Sequence, residues 1–296
     1  MIFKGSGVAL ITPFVNKEVN YEKFKGLIDF HLQNKTDALI ICGTTGESST
    51  LTDEEKNQLF EIAVEKAKGK IPVIAGTGSN NTERAIKLSK SAQYIGVDAL
   101  LLVTPFYNKC TQNGLIEHFK EIAKNINLPI IVYNVPSRTG LNIEANTTIE
   151  LSKIPNIFGI KEASGNMTQC LDITSQKDRD FSVYSGNDDQ ILPILSIGGD
   201  GVISVLANIL PKETHEMCYS YFNGDIKTAM MLQNRYAKLI KLLFKETNPI
   251  PIKRAMNLLG FDVGDLRLPL TIMEESNSKL LEDELIKLKL LPKNRS

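Results

Sequence analysis

Histidine is scarce in this 296-residue chain, occurring only as His31, His118 and His215, each inside a stretch with helical spacing. That scarcity argues against triad or acid/base chemistry built on imidazole. The four cysteines, Cys42, Cys110, Cys170 and Cys218, are equally dispersed, with no CxxC pair and no histidine at ligand spacing. Neither a zinc site nor a disulfide framework is indicated, and reduced, mostly buried thiols are expected. Net charge is missing as well: 34 basic residues balance 34 acidic ones, which removes the electrostatic footprint of a nucleic-acid or anionic-membrane partner. No apolar run approaches ~18 residues, and the opening MIFKGSGVALITPF is too interrupted for a signal sequence. A cytoplasmic location is the expectation.

What the chain does contain is alternation. Eight apolar, β-rich runs recur: GVALITPF (7–14), ALIICG (38–43), IPVIAGT (71–77), ALLLVTP (99–105), PIIVYNVP (129–136), IFGIKEAS (157–164), FSVYSG (181–186) and GVISVL (201–206). Between them lie polar segments of helical period such as 53–69, 82–96 and 114–126. Thr52 or Asp53 is placed to cap the first of these, and Gly69 and Gly96 stand where helices should stop. Strands starting every ~20 to 30 residues fit one βα unit per period, and eight such units close into a parallel (β/α)8 TIM barrel. A doubly wound open sheet is the competing reading, but it usually carries a Gly-rich phosphate loop after its first strand, where this chain has TPFVNKEVN. From Asp225 the β-rich runs stop, and segments 225–246, 251–260 and 276–291 read as amphipathic helices. The expected organisation is a barrel over 1–224 and a C-terminal helical domain over 225–296.

One strand residue is out of place. In IFGIKEASG (157–165), alternation puts Gly159, Lys161 and Ala163 on one face, leaving room around a lysine amine inside an apolar strand. Such a lysine either pairs with a carboxylate or snorkels outward, or it is a Schiff-base nucleophile that attacks a carbonyl as the neutral amine. At an ordinary pKa near ~10.4 only about one molecule in a thousand carries that neutral amine at neutral pH, so burial would favour the second role.

A barrel of this kind places its site at the C-terminal ends of its strands, and polar residues collect there. GTTGES (43–48) offers Thr44 and Thr45, whose hydroxyls and backbone N–H groups suit a carboxylate. TPFYNK brings Tyr107, YNVPSRTG (133–140) brings Tyr133 and Arg138, SGND (185–188) ends the seventh strand, and Ile203 lies in the eighth. Each alone reads equally well as a turn, as packing or as a solvated charge. Together they put an amine, a carboxylate clamp, a phenol and a guanidinium on one rim.

GTTGES, YNVPSRTG and KEASG (161–165), in this order and spacing, resemble the dihydrodipicolinate synthase family, within the class I pyruvate aldolase superfamily that includes N-acetylneuraminate lyase. The GxTGE turn and the strand-six lysine are shared by the superfamily, and the SRTG segment points to the synthase. The resemblance covers essentially the whole chain. It implies that Lys161 forms an imine with pyruvate, with Thr44 and Thr45 around the pyruvate carboxylate. Tyr133 would pass protons through Thr44 to a Tyr107 contributed by a neighbouring subunit. Arg138 would hold the carboxylate of aspartate semialdehyde, and Gly186 and Ile203 would line the pocket. It further implies a homo-oligomer, expected as a tetramer made of two dimers, with no cofactor and no metal. Composition leaves nucleic acid and membrane out of the expected partners.

Two other readings stand beside this one: a related pyruvate lyase acting on a sugar acid such as N-acetylneuraminate, and a barrel that has lost activity. The first would want a polyol-binding loop at Arg138, and the second would erode the lysine or tyrosines. In lysine-inhibited members of the family the allosteric pocket uses positions that align with Ser48, Ser49, Asp53, Lys56, Asn80, Arg84 and Phe106. An acidic residue is usual at Arg84, histidine at Asp53 and Lys56, and tyrosine at Phe106. This chain keeps Ser48 and Asn80 but sets Lys56 and Arg84 beside a ligand that brings its own ammonium, so lysine insensitivity is expected.

Overall fold

The structure, a computed structural model, describes residues 1–178 and 180–292; residues 293–296 of the expected C-terminal domain lie outside the described residues. Eight parallel strands close into a barrel: β1 (Gly5–Ala9), β2 (Ala38–Ile41), β3 (Val73–Gly76), β4 (Ala99–Val103), β5 (Ile130–Asn134), β6 (Ile157–Glu162), β7 (Ser182–Ser185) and β8 (Gly201–Ser204). Each strand pairs with its sequence neighbours, and β1 pairs with both β2 and β8 to seal the ring. All eight expected runs are strands. The first is displaced, because beyond Ala9 the ladder gives way to a side chain: Leu10 still donates to Ile40 O, but the Ile11 amide donates to Asn208 Oδ1 at 3.1 Å. The rest of that run feeds a small antiparallel hairpin, Phe14–Val15 with Glu18–Val19.

The helices follow the strands in order: α1 (Tyr21–Gln33), α2 (Asp53–Ala67), α3 (Thr82–Ile95), α4 (Gln112–Lys124), the single turn α5 (Pro136–Thr139), α6 (Ala145–Ser152), α7 (Met167–Gln176), α8 (Ile191–Ser196) and α9 (Pro211–Phe222). Their ends are written locally. Thr52, rather than Asp53, caps α2 in a reciprocal box with Glu55, and Gly96 closes α3 in the left-handed conformation. Strand alternation then divides the core in two. Residues facing the axis, among them Ile40, Ile74, Leu101, Ile131, Tyr184 and Ile203, fill the barrel, while the opposite faces pack under the helices.

After the barrel come α10 (Ile226–Leu243), α11 (Ile250–Leu258) and α12 (Glu275–Lys287). α10 packs on α8 and α9, and α12 packs on α10 and α11. The histidines make hydrogen bonds away from the C-terminal ends of the strands: His31 to Thr36, His118 to Thr82 and His215 to Asp37. Burial holds the imidazoles of His31 and His118 down, to about 3 and about 4. All four cysteines are free, and three are buried. Among the described residues no helix is long and apolar enough to cross a membrane.

Candidate active site

A cavity of about 700 Å³ opens at the C-terminal ends of the strands and is lined by Thr44, Thr45, Tyr133, Arg138, Lys161 and Gly186, with contributions from Asn187 and the 244–248 segment. Register creates the centre of it. Tyr133 on β5 lies opposite Lys161 on β6, so both side chains project inward at the same level. The Lys161 Nζ sits 4.3 Å from the Tyr133 ring centroid. Small neighbours leave that space open. A Cβ on Gly186 would meet the Ala163 Cβ at 2.6 Å and the Lys161 Cε at 3.2 Å, and one on Gly159 would strike the Ser182 carbonyl at 2.7 Å.

Burial dominates the electrostatics. Lys161 is only 6% exposed. Loss of solvation lowers its pKa from 10.5 to about 7; Asp188 opposes that shift and Arg138 adds to it. Burial likewise raises the Tyr133 phenol, against the influence of Arg138 and of the Thr44 hydroxyl. Asp188 is itself buried, and its Oδ2 accepts from the Val205 and Leu206 amides at 3.0 and 2.9 Å. Burial raises its pKa. A lysine in this state holds a substantial neutral fraction near pH 7, and the chemistry open to it is attack on a carbonyl.

The turn carrying Thr44 and Thr45 is built by short backbone bonds, Gly46 and Glu47 donating to Gly43 O and Thr44 O. It is anchored by Glu47, whose carboxylate lies 2.6 Å from the Lys253 amine of α11 and accepts from the Arg267 amide. Arg138, exposed on α5, donates to the Asn248 carbonyl at 2.8 Å. The expected set is thus largely assembled, with two exceptions. Ile203 is fully buried in the inner core beside Tyr133 and Ala163 and does not line the cavity. Tyr107 is 92% exposed and likewise stands outside the cavity of this single chain.

Two groups near the site escaped the sequence reading. One is the strap 244–248 between α10 and α11, which crosses from the C-terminal helices to the cavity wall. Its only sequence signal was polar residues before a proline. The other is the outward face of β5 and β6. Glu162 is buried there and accepts from Asn134 Nδ2, Gln169 Nε2 and the Ser164 amide, at 3.0, 3.0 and 2.6 Å. Asn134 and Glu162 stand next in sequence to Tyr133 and Lys161, so this network fixes the two strand ends that carry them.

Fold and geometry together define a class: a parallel barrel lyase of the aldolase type, with an enclosed amine at its strand ends. The chain belongs to the dihydrodipicolinate synthetase family, whose sequence model matches residues 2–288. A 4-hydroxy-tetrahydrodipicolinate synthase of Clostridium tetani is 57% identical over 286 residues, 96% of this chain and 97% of that protein. The crystal structure of dihydrodipicolinate synthase from Aquifex aeolicus superposes with a TM-score of 0.96 at 46% identity, covering 99% of this chain and 100% of that one. The enzyme from Cyanidioschyzon merolae, solved with lysine bound, superposes with a TM-score of 0.96 at 42% identity over 98% and 99% of the two chains.

Proposed function

We propose that this protein is a 4-hydroxy-tetrahydrodipicolinate synthase, a lyase that condenses pyruvate with aspartate semialdehyde at the first committed step of the diaminopimelate route to lysine. The observation that carries the reading is Lys161, an amine buried at a strand end with its pKa lowered to about 7. Its neutral form attacks C2 of pyruvate, and loss of water leaves an iminium joined to the enzyme. That iminium accepts the electrons released when a methyl proton departs, so no external cofactor or metal is called for. The enamine carbon adds to the aldehyde carbon, and the product's own amine displaces Lys161 as the ring closes.

Thr44 and Thr45 hold the pyruvate carboxylate, and Arg138 takes the carboxylate of the aldehyde. Tyr133 and Thr44 carry protons, and the exposed Tyr107 completes that relay in a neighbouring subunit, which makes the working form at least a dimer; a tetramer of two dimers is the assembly proposed. Gly186 keeps space beside the amine, and Ile203 supports the cavity from the inner core. The chain divides into a catalytic barrel over 1–224 and a helical domain over 225–296, in a cytoplasmic enzyme. Steady-state turnover of pyruvate with aspartate semialdehyde, beside N-acetylneuraminate and 2-keto-3-deoxy sugar acids, tests the assignment. Turnover confined to a sugar acid would replace it.

The same reading extends to regulation. A second cavity, of about 310 Å³, shares the walls Thr44 and Tyr133 with the first and is lined by Ser48, Ser49, Lys56, Asn80, Arg84 and Phe106. Asp53 is ion-paired with Arg84 at 2.8 Å. The carboxylate that a lysine ammonium would need is thereby already engaged, and the buried Lys56 adds a second basic side chain to the wall. This enzyme is therefore insensitive to lysine.

A further inference from the structure

Asn248 belongs to the strap that follows α10, far from the barrel in sequence, yet it lines the cavity and is only 5% exposed. It touches two anion-binding groups through opposite ends. Its main-chain carbonyl accepts from Arg138 Nη2 at 2.8 Å, and its side-chain Nδ2 donates to Thr45 Oγ1 at 3.0 Å. Its Oδ1 is buried with no hydrogen-bond partner among the described residues.

The direction of the second bond matters. A threonine hydroxyl has one proton to give and two lone pairs with which to accept. With Asn248 supplying the proton in their shared bond, the Thr45 proton is left free. Thr45 is buried and lines the cavity, so that proton is available to a group inside it. The reverse arrangement, with Thr45 donating to an acceptor at position 248, would turn oxygen lone pairs toward any bound carboxylate. An unpaired buried Oδ1 is unfavourable, and the orientation present accepts that cost while keeping Thr45 a donor.

We propose that Asn248 is a positioning residue for the first substrate: its amide fixes the Thr45 hydroxyl as a donor toward the carboxylate of a 2-oxo acid, while its main chain separately braces Arg138. This rests on the reading of Thr45 as a pyruvate-carboxylate ligand. It also makes the two substrates separable. Removing the side chain frees Thr45 but leaves the carbonyl that holds Arg138.

The test is steady-state kinetics on the full-length wild type, Asn248→Ala, Asn248→Asp, Thr45→Val and the Asn248→Ala/Thr45→Val double variant, with a melting curve for each. Wild-type turnover of pyruvate with aspartate semialdehyde decides the underlying assignment by itself. Asn248→Ala should raise the pyruvate KM roughly tenfold with kcat and the KM for the aldehyde little changed, as expected when a uniform binding interaction is lost. Asn248→Asp, isosteric but unable to donate, should raise it further, since it takes the Thr45 proton and adds a negative charge beside the substrate. In the Thr45→Val background, Asn248→Ala should add almost nothing. Three results would overturn the proposal: an unchanged pyruvate KM in Asn248→Asp, additive effects in the double variant, or a parallel rise of both KM values, which would mean that the strap as a whole had shifted.

Discussion

Among the buried lysines of the described residues, two that flank the first cavity and its supporting turn, Lys161 and Lys253, are treated in opposite ways. Lys253, on α11, is 1% exposed, with its amine 2.6 Å from the Glu47 carboxylate, 2.8 Å from the Asp265 carbonyl and 4.1 Å from the Phe14 ring centroid. Lys161 has a comparable burial, an aromatic face at 4.3 Å and a cavity in front of it. Burial lowers both pKa values, but at Lys253 the carboxylate in contact opposes the shift, whereas at Lys161 the result is about 7. Burial alone therefore does not make a nucleophile. The difference lies in whether the surroundings offer the ammonium a partner or leave the neutral amine facing open space.

The largest break in the comparison is chemical. Borohydride reduction in the presence of pyruvate should attach the three-carbon unit to Lys161 and leave Lys253 unlabelled, as read by peptide mass mapping. Lys161→Ala and Lys161→Arg should lose label and turnover completely, the second because guanidinium stays protonated. Label on Lys253 would erase the distinction. Next in size is the structural lysine. Lys253→Met leaves Glu47 buried without its cation and should cost about 3–5 kcal/mol of unfolding free energy in denaturant titration. Adding Glu47→Gln should recover much of it, because the isolated charge is then gone. A loss below about 1 kcal/mol in the single variant would mean that the pair is not what anchors the Thr44–Thr45 turn.

Titration sharpens the same contrast by a smaller margin. The neutral-amine fraction at Lys161 falls about tenfold for each pH unit below its pKa, so imine trapping should fall along an acid limb centred near 7. Stability carries the linked sign. Because the folded pKa is depressed, the unfolded chain binds the extra proton between about 7 and 10.5; the cost of burying Lys161 is fully present below 7 and fades as pH rises toward 10.5. Lys161→Met should accordingly exceed the parent in stability most clearly at pH 6 and approach it by pH 10. A difference constant across that range would show that Lys161 keeps its ordinary proton affinity.

Much of this is legible in the amino-acid sequence alone. Strand period and local turn chemistry mark the eight strands, and a lysine between Gly159 and Ala163 is visible as an anomaly because alternation is short-range information. Thr52 caps α2 through a residue three positions away, which a sequence displays directly. What the sequence hides are pairings across long separations. Lys253 and Glu47, or Asn248 and Thr45, are about two hundred residues apart, and each looks like an ordinary polar residue until the C-terminal helices are folded against the barrel. Lys253 in particular sits in an amphipathic pattern where a lysine signals solvent, and the fold buries it. Glu162 is hidden for another reason: alternation gives its face but not the donors waiting there.

A third enclosed lysine supplies the smallest effect, one expected to be nearly zero. Lys56 lies on α2 against the second cavity, largely buried, and burial lowers its pKa while Asp53 opposes that and Arg84 adds to it. A free lysine entering this cavity would bring an ammonium toward Lys56 and Arg84, and the near carboxylate, Asp53, is already held by Arg84 at 2.8 Å. Phe106 offers no hydroxyl in exchange. Each like-charge contact or missing partner costs on the order of 1–3 kcal/mol, enough together to carry a sub-millimolar site into a range of tens of millimolar or weaker. Lysine titrated into the assay at saturating pyruvate should leave the rate nearly unchanged up to roughly millimolar concentration. Arg84→Glu, which returns an acid to the wall, should introduce measurable inhibition over the same range. Strong inhibition of the parent would mean that Lys56 gives up its proton as Lys161 does, so that the cavity meets the ligand with one cation fewer.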